Sequence, residues 1–495
     1  MQCDVLVVGG GINGVGIARD LAGRGIRVVL CEQHDLASHT SSASTKLIHG
    51  GLRYLEYREF SLVRKSLAER EVLLSVGGHI MWPLRFVLPH EPYLRRAWLI
   101  RAGLFLYDNL APRNRLPGSE AVRLTGHPAG APLRDAGRLG FVYSDVWVDD
   151  ARLVVLNAMD ARERGATVLT RTACTSLRRE PHGWTATLVP ESGVPIEVSA
   201  RAVVNAAGPW AGDFLRHCAP TLRRQSLRLV KGSHIVVPKL FDHDFAYIFQ
   251  NADRRIVFAI PYEQRYTLIG TTDVDYQGDP ASVAIAAAET AYLCEIANHY
   301  FRQTITPQSV VHSFSGVRPL MADESVDASG VTRDYSFDLD TDGAPLLSVI
   351  GGKITTFRRL AEEAVALLRP LMGFQEGPWT RTAALPGGDF AAGDFEAYLR
   401  ELRRRYPSIE PELMHRWARA YGTRLERWLP AALAGEGLGA EVIPGLHEAE
   451  LRYLCAEEWV REAADVLWRR SKLGLGAPPD GAWRIDRWLA ANPPR

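Results

Sequence analysis

The sequence predicts an α/β protein with a Rossmann-like dinucleotide-binding domain, an antiparallel-sheet domain inserted into it, and an all-helical C-terminal domain. Three observations carry this expectation. A strand, a glycine-rich turn, a helix and a second strand open the chain at residues 3–32. Stretches suited to antiparallel strands recur at 234–238, 255–260 and 266–270, with a PYEQR turn between the last two. From residue 395 to 475 the pattern becomes helical and rich in Arg, Glu, Leu and Trp.

The opening unit is the most specific. CDVLVV (residues 3–8) is a short apolar run of the kind that forms a parallel strand buried on both faces. Gly9-x-Gly11-x-x-Gly14 follows, and then an amphipathic helix carrying Ile17 and Leu21. In such a turn the first glycine bends the chain, the second lets a pyrophosphate approach the backbone, and the third lets helix and strand pack closely. The helix N-terminus offers unpaired N–H groups and a positive dipole end to phosphate. A second strand (residues 27–31) ends at Glu32, an acid 18 positions beyond Gly14 and suited to ribose hydroxyls. Gln33 follows in place of a basic residue, which argues against NADP and leaves FAD and NAD both open.

The remaining elements fall in order. A Ser/Thr-rich run at 38–45 leaves the second strand where a cofactor would lie, and its hydroxyls suit phosphate or ribose. Residues 52–76 carry a helical stripe, and proline punctuates 83–133. The nucleotide-fold pattern returns as a helix and strand at 149–173, a strand at 202–205 opening into AAGPWAGD, and GGKITTF from residue 351. LPGGD (385–389) is the expected linker to the helical domain.

With 495 residues the chain has room for two or three domains and a large core. A net charge of +1 supplies no global drive toward nucleic acid or anionic lipid, so a charged partner must be met by a local patch. The six cysteines are scattered without a CxxC pair, which argues against zinc and thioredoxin-like chemistry and fits a reducing compartment. The strand pattern starts at once, leaving no room for a signal peptide, and no apolar run reaches the ~18 residues of a membrane span. A soluble or peripheral intracellular protein is expected.

A serine nucleophile elbow, an HExxH helix and a P-loop are all missing, so the chemistry falls to the dinucleotide while the protein supplies position and electrostatics. Three basic sites are candidates to face it: His49-Gly50-Gly51-Leu52-Arg53-Tyr54, Gly316-Val317-Arg318-Pro319 with Arg333 beyond, and Gly351-Gly352-Lys353-Ile354-Thr355-Thr356. Converging arginine forks suit a dianion.

Several motifs then resemble one family. STKLIHGGLRYLE (44–56), AEREVLL (68–74), VNAAGPWA (204–211), GTTD (270–273), GVRPL (316–320), GGKITTFR (351–358) and LWRRSKLGL (467–475) are similar to those of the FAD-dependent glycerol-3-phosphate dehydrogenases. These enzymes belong to the D-amino-acid-oxidase-like flavoprotein superfamily, and the resemblance spans residues 4–475. It implies an FAD-binding domain at 1–75, 145–225 and 330–384, a substrate domain at 76–144 and 226–329, and a helical domain at 390–495.

The resemblance also implies roles. Gly9, Gly11 and Gly14 would hold the FAD pyrophosphate and Glu32 the adenosine ribose, while Ser41, Ser42, Thr45 and Lys46 would close over the cofactor. Ala173 would set backbone atoms by the adenine, and Gly352, Lys353 and Ile354 would follow the flavin ring. His49, Arg53, Tyr54, His234, Arg318, Arg333 and Lys353 would line the substrate site. Oxidation of sn-glycerol 3-phosphate to dihydroxyacetone phosphate is the implied reaction. Arg318 and Arg333 would hold the phosphate with help from Arg53 and Tyr54, His234 or His49 would be the base, and Lys353 would stabilise negative charge on reduced flavin. No metal is implied. Rival readings are a glycerol-3-phosphate oxidase, an amine oxidase of the same superfamily, and a non-enzymatic nucleotide-binding protein.

The implied electron acceptor is a membrane quinone, which places a cytoplasmic enzyme peripherally on the inner face of the cytoplasmic membrane. A homodimer is left open and nucleic acid is not expected. Residues 95–109 suit the membrane contact: Trp98, Leu99, Leu104, Phe105, Leu106 and Tyr107 stand beside Arg95, Arg96 and Arg101.

Overall fold

A computed structural model describes residues 1–219, 227–253, 255–321, 334–390, 393–435 and 437–493. Its first sheet has eight strands. Leu346–Ile350, Ile196–Asn205, Gln2–Val8, Val28–Cys31 and Thr167–Leu169 run parallel in that spatial order, with Ser336–Asp340 antiparallel at one edge. Val5, Leu6 and Val7 are inaccessible to solvent, because helices cover one face of this strand and an antiparallel extension lies against the other. That extension is Thr172–Glu180 and Gly183–Pro190, paired to Ile196–Asn205.

The second sheet has ten strands and is built mainly on Leu227–Pro238, Ile256–Tyr262, Tyr266–Gly270, His312–Met321, Met81–Pro89 and Leu139–Val148. Its antiparallel character is as expected except at one seam, where Ala246–Gln250 pairs in parallel with Met81–Pro89. Two boundaries shift. Leu139–Val148 belongs to this sheet over its whole length, so a boundary at 144/145 cuts a strand. Leu47–Ile48, inside 1–75, pairs with Trp147 and Val146 and also belongs here. The chain thus crosses between the sheets right after the Ser/Thr run, which puts residues 40–54 at their junction.

The helix expected over 52–76 is split. Leu52–Leu55 forms a single 3-10 turn, Arg58 takes a left-handed φ of +61°, and the α-helix runs Phe60–Val76. The C-terminal domain packs its helices around Trp417, Tyr421, Leu425 and Leu451, and adds one short antiparallel pair, Glu441–Ile443 with Leu446–His447, to the expected all-helical pattern.

Buried ion pairs lock that domain to the first. Arg152 donates to Glu458 and to the Ala420 carbonyl at 2.7 Å. Arg470 spans both oxygens of Asp35 at 2.5 and 2.7 Å, and Arg469 adds a bond to the same carboxylate at 2.6 Å. Burial raises the Asp35 carboxyl, but the two arginines more than offset this and bring it down to about 2. The RRSKLGL segment therefore anchors the loop three residues beyond Glu32.

Candidate active site

One cleft of about 940 Å³ runs from Glu32 to Arg318 between the two sheets. At its first end, Gly9 leaves the strand at φ +115°, and a Cβ there would lie 2.4 Å from the Ala206 carbonyl oxygen. A Cβ on Gly14 would lie 1.9 Å from the Gly9 oxygen, so only glycine lets the helix Ile12–Gly23 sit this close. The Ser41 hydroxyl accepts the Ile12 N–H at 3.0 Å. Glu32 accepts the Gly10 N–H at 2.6 Å and the His34 N–H at 2.8 Å, while burial raises its carboxyl against those two donors. Asn13 donates to the Gly351 carbonyl at 3.1 Å and so joins the first glycine turn to the second, 338 residues away. Its Oδ1 is buried in the cleft wall with no hydrogen-bond partner among the described residues, an acceptor that suits a donor on a bound group.

At the other end, His49, Tyr54, Lys353 and Arg318 line the wall. The Lys353 ammonium sits 3.7 Å from the centre of the Tyr54 ring. Arg318 Nη1 meets Asp273 at 2.5 Å and Nη2 meets the Thr271 hydroxyl at 3.3 Å. The His49 backbone N–H donates to Thr355 Oγ1 at 3.3 Å. The next peptide is held from behind: Gly50 N–H donates to Tyr107 Oη at 2.8 Å and to Asp145 at 3.3 Å, and Arg70 Nη1 donates to Asp145 at 2.7 Å. Burial raises the Asp145 carboxyl, opposed by Arg70, Tyr107 and the Gly50 N–H.

Of the residues singled out from sequence, Gly9, Gly11, Glu32, Ser41, Thr45, His49, Tyr54, Arg318, Gly352, Lys353 and Ile354 line this one cleft. Gly14 lies beneath the turn. Ala173 is not itself in the wall, although its neighbours Thr172 and Cys174 are. Arg333 lies outside the described residues.

Four placements differ from expectation. Lys46 is buried away from the cleft, its ammonium 2.8 Å from Asp150 and 3.0 Å from the Ser42 carbonyl, so it ties the loop down from inside. Ser42 turns its hydroxyl onto the His39 carbonyl at 3.1 Å. Arg53 packs on the exposed Tyr57, donating to its hydroxyl at 3.1 Å. His234 is fully buried, stacked on Phe314 at 4.9 Å, and bonded through Nε2 to Thr45 Oγ1 at 3.0 Å. Burial, then Arg318 and Lys46, hold its pKa well below the ordinary histidine value, and it does not line the cleft.

The sequence alone gives no site role to Asp273, Thr271, Asn13, Arg70 or Asp145, and it places Tyr107 on the membrane-contact face, whereas the structure buries it against Gly50 and Asp145. The motifs GTTD, AEREVLL and the first glycine turn contain Asp273 and Thr271, Arg70 and Asn13, but their partners are distant in the chain, and Asp145 lies in no motif.

The chain matches the family of FAD dependent oxidoreductases over residues 4–358, and the C-terminal domain of alpha-glycerophosphate oxidase over 378–484. It is 54% identical over 493 residues to a glycerol-3-phosphate dehydrogenase of Pseudomonas aeruginosa, covering 99% of this chain and 96% of the relative. It is 52% identical over 472 residues to a D-erythritol 1-phosphate dehydrogenase of Brucella abortus, covering 95% and 94%. A solved glycerol-3-phosphate dehydrogenase from Bacillus halodurans, complexed with FAD, superposes with a TM-score of 0.77 at 26% identity, covering 99% of this chain and 94% of that one. The glycine cradle and the Glu32 acceptor fit an FAD pyrophosphate and adenosine ribose, and the same cleft continues to Gly352 and Lys353, where the flavin would lie. Sequence, fold and cleft thus agree that the chain belongs to the FAD-dependent oxidoreductases that carry the alpha-glycerophosphate oxidase type of C-terminal domain.

Proposed function

We propose that this chain is an FAD-dependent glycerol-3-phosphate dehydrogenase, oxidising the C2 alcohol of sn-glycerol 3-phosphate to the ketone of dihydroxyacetone phosphate. The observation that carries this reading is the meeting of Arg318, Lys353 and His49 at one end of a cleft whose other end is built for a dinucleotide. Bound FAD supplies the two-electron acceptor for the C2 hydride. Arg318 grips the phosphate, with Asp273 and Thr271 fixing the plane of its fork. His49 takes the C2 hydroxyl proton at an imidazole nitrogen, because it lines the cleft while His234 is fully buried outside the lining and its lowered pKa makes it the weaker base. Lys353, lying over the Tyr54 ring beside Gly352, would offer positive charge to the negative charge of a reduced flavin.

A second substrate is favoured by one observation, the 52% identity to a D-erythritol 1-phosphate dehydrogenase. That polyol phosphate also places a secondary alcohol beside the phosphate-bearing carbon and is longer by one CH(OH) unit. Anaerobic bleaching of bound flavin by each compound decides between them. A higher kcat/KM for sn-glycerol 3-phosphate is the expected result. Preference for D-erythritol 1-phosphate would transfer the substrate assignment, and no bleaching by either would overturn the reading.

We further read the electron acceptor as a membrane quinone, met at the cytoplasmic face by the helix Ala97–Asn109. Trp98 is 65% and Phe105 63% exposed, Leu99 and Leu106 are exposed beside them, and only Leu104 and Tyr107 of this helix are buried. An aromatic and aliphatic face flanked by Arg95, Arg96 and Arg101 suits a lipid interface. Among the described residues no helix is long and apolar enough to cross a membrane. The alternative occupant of the same face is a second copy of the chain in a homodimer.

A further inference from the structure

We propose that Cys174 and Cys218 form an oxidisable thiol pair in the wall of the cofactor cleft, open to peroxide when the cleft is empty and shielded when FAD fills it. Of the six cysteines, these two come from distant parts of the chain to one place. Cys174 stands on the strand Thr172–Glu180, at an irregularity in its pairing with Gly183–Pro190. Cys218 ends the helix Ala211–Cys218, which packs on that strand. The Cys218 thiol donates to the Cys174 carbonyl at 3.2 Å, and the Cys174 thiol donates to the Ser176 carbonyl at 3.7 Å. Both are reduced, and both line the cleft near Glu32 and Thr172. Cys174 is half-buried and Cys218 is 8% exposed, and both belong to the cleft lining, which is the side from which a small oxidant would come.

The contact divides the acidity of the two groups. The nearness of Cys174 lowers the Cys218 pKa against the effect of burial, while Cys218, and then burial, raise that of Cys174. The lowered pKa favours Cys218 as the nucleophile, since the thiolate is the reactive form. Its sulfur attacks hydrogen peroxide, breaking the O–O bond and giving a sulfenic acid and one water. The Cys174 sulfur then attacks the sulfenic sulfur, an S–S bond forms, and a second water leaves. The sum is two thiols and one peroxide giving one disulfide and two waters, with both sulfurs oxidised and both peroxide oxygens reduced. Closing the bond requires the sulfurs to approach to about 2.05 Å. This inference rests on FAD occupying the cleft and is independent of the polyol phosphate assigned as substrate.

The test exposes the full chain to hydrogen peroxide with and without added FAD, followed by thiol titration and peptide mapping. Without FAD, a peptide linking residues 174 and 218 should appear, with the loss of two hydrogens and of two titratable thiols. With free FAD at about ten times its Kd, the empty fraction and hence the rate should fall roughly tenfold. Cys218→Ser should abolish the linked peptide, and Cys174→Ser should leave Cys218 trapped as a sulfenic acid that a dimedone-type probe captures. Absence of the linked peptide in the wild-type chain, or linkage to Cys31 instead, would overturn the pair. An equal rate with and without FAD would overturn the shielding.

Discussion

The hydroxyl of Tyr107 accepts the Gly50 N–H at 2.8 Å and donates its own proton to Asp145 at 2.8 Å. A residue on the buried side of the helix Ala97–Asn109 therefore sets the backbone next to His49. Both partners are buried, and neither has water to turn to.

Tyr107→Phe keeps the ring and removes only that hydroxyl. Leaving a buried donor or acceptor unsatisfied costs about 1–3 kcal/mol. Denaturant unfolding should show a loss of this size, and steady-state kinetics should show kcat falling with the KM for the phosphate substrate nearly unchanged. A raised KM at constant kcat would place the effect at the phosphate end instead.

The two histidines separate on their pH dependence. A general base contributes about 10²–10⁴-fold, and the acid limb of kcat/KM reports its protonation in the free enzyme. His49→Asn should lose activity on that scale and flatten the acid limb. His234→Asn should keep the limb, because His234 is already neutral across that range through burial, Arg318 and Lys46. If His234→Asn removes the limb, the base is misassigned.

Arg318 and Asp273 act as a unit. A hydrogen bond to a charged group contributes about 1.5–3 kcal/mol, and 1.4 kcal/mol is a factor of ten in affinity. Arg318→Ala should raise KM roughly tenfold to a hundredfold with residual turnover at saturation. Asp273→Asn, which keeps the shape but loses the charge holding the fork, should raise KM by less than Arg318→Ala, and the double variant should fall short of the sum. Full additivity would show that Asp273 does not act through Arg318.

Acid should destabilise the fold through His79. Burial, then Arg152 and Arg419, lower its pKa from 6.5 to about 3. Between those values the unfolded chain binds a proton that the folded chain refuses, so stability is full above about pH 6.5 and falls as pH drops toward 3. The slope from this one group approaches about 1.4 kcal/mol per pH unit. Denaturant melts from pH 7.5 to 4.5 check this, and His79→Gln should lessen the slope. An unchanged slope would assign the acid sensitivity to other groups.

What was legible in the sequence follows from the range of each constraint. Gly9 and Gly14 announce themselves because a positive φ and a 1.9 Å conflict can be met only by glycine, whatever surrounds them. The expected sheets appeared because their signals are local. The choice of histidine was not legible: His234 lies in a strand buried continuously from Val230 to Val237, so alternation does not report which side faces the cleft. Lys46 looked like a cofactor residue until Asp150, 104 positions away, was seen to hold it. Asp145 was invisible for the same reason, its partners Arg70 and Gly50 standing 75 and 95 positions off. Arg53 and Arg318 are equally basic in sequence, and only the fold turns one onto Tyr57 and the other into the cleft.

The exposed face of Ala97–Asn109 gives the last prediction. Trp98 and Phe105 are each more than 60% exposed, so their replacement costs the fold little packing. At a lipid interface, by contrast, fully burying such a side chain contributes about 1.5–3 kcal/mol. Trp98→Glu with Phe105→Glu should therefore weaken binding to vesicles of mixed neutral and anionic phospholipid by roughly tenfold or more, and raised salt should weaken the wild type through Arg95, Arg96 and Arg101. Turnover with a short-chain water-soluble quinone should stay near wild type, because neither side chain lines the cleft, while turnover with a long-chain quinone held in the vesicle should fall. Loss of both activities would mean that the substitutions reach His49 through Tyr107. Undiminished vesicle binding, with a shift from dimer to monomer in sedimentation, would assign this face to a second copy of the chain. Equal rates of oxygen and quinone reduction by the wild type would make the enzyme an oxidase and remove the need for a membrane face.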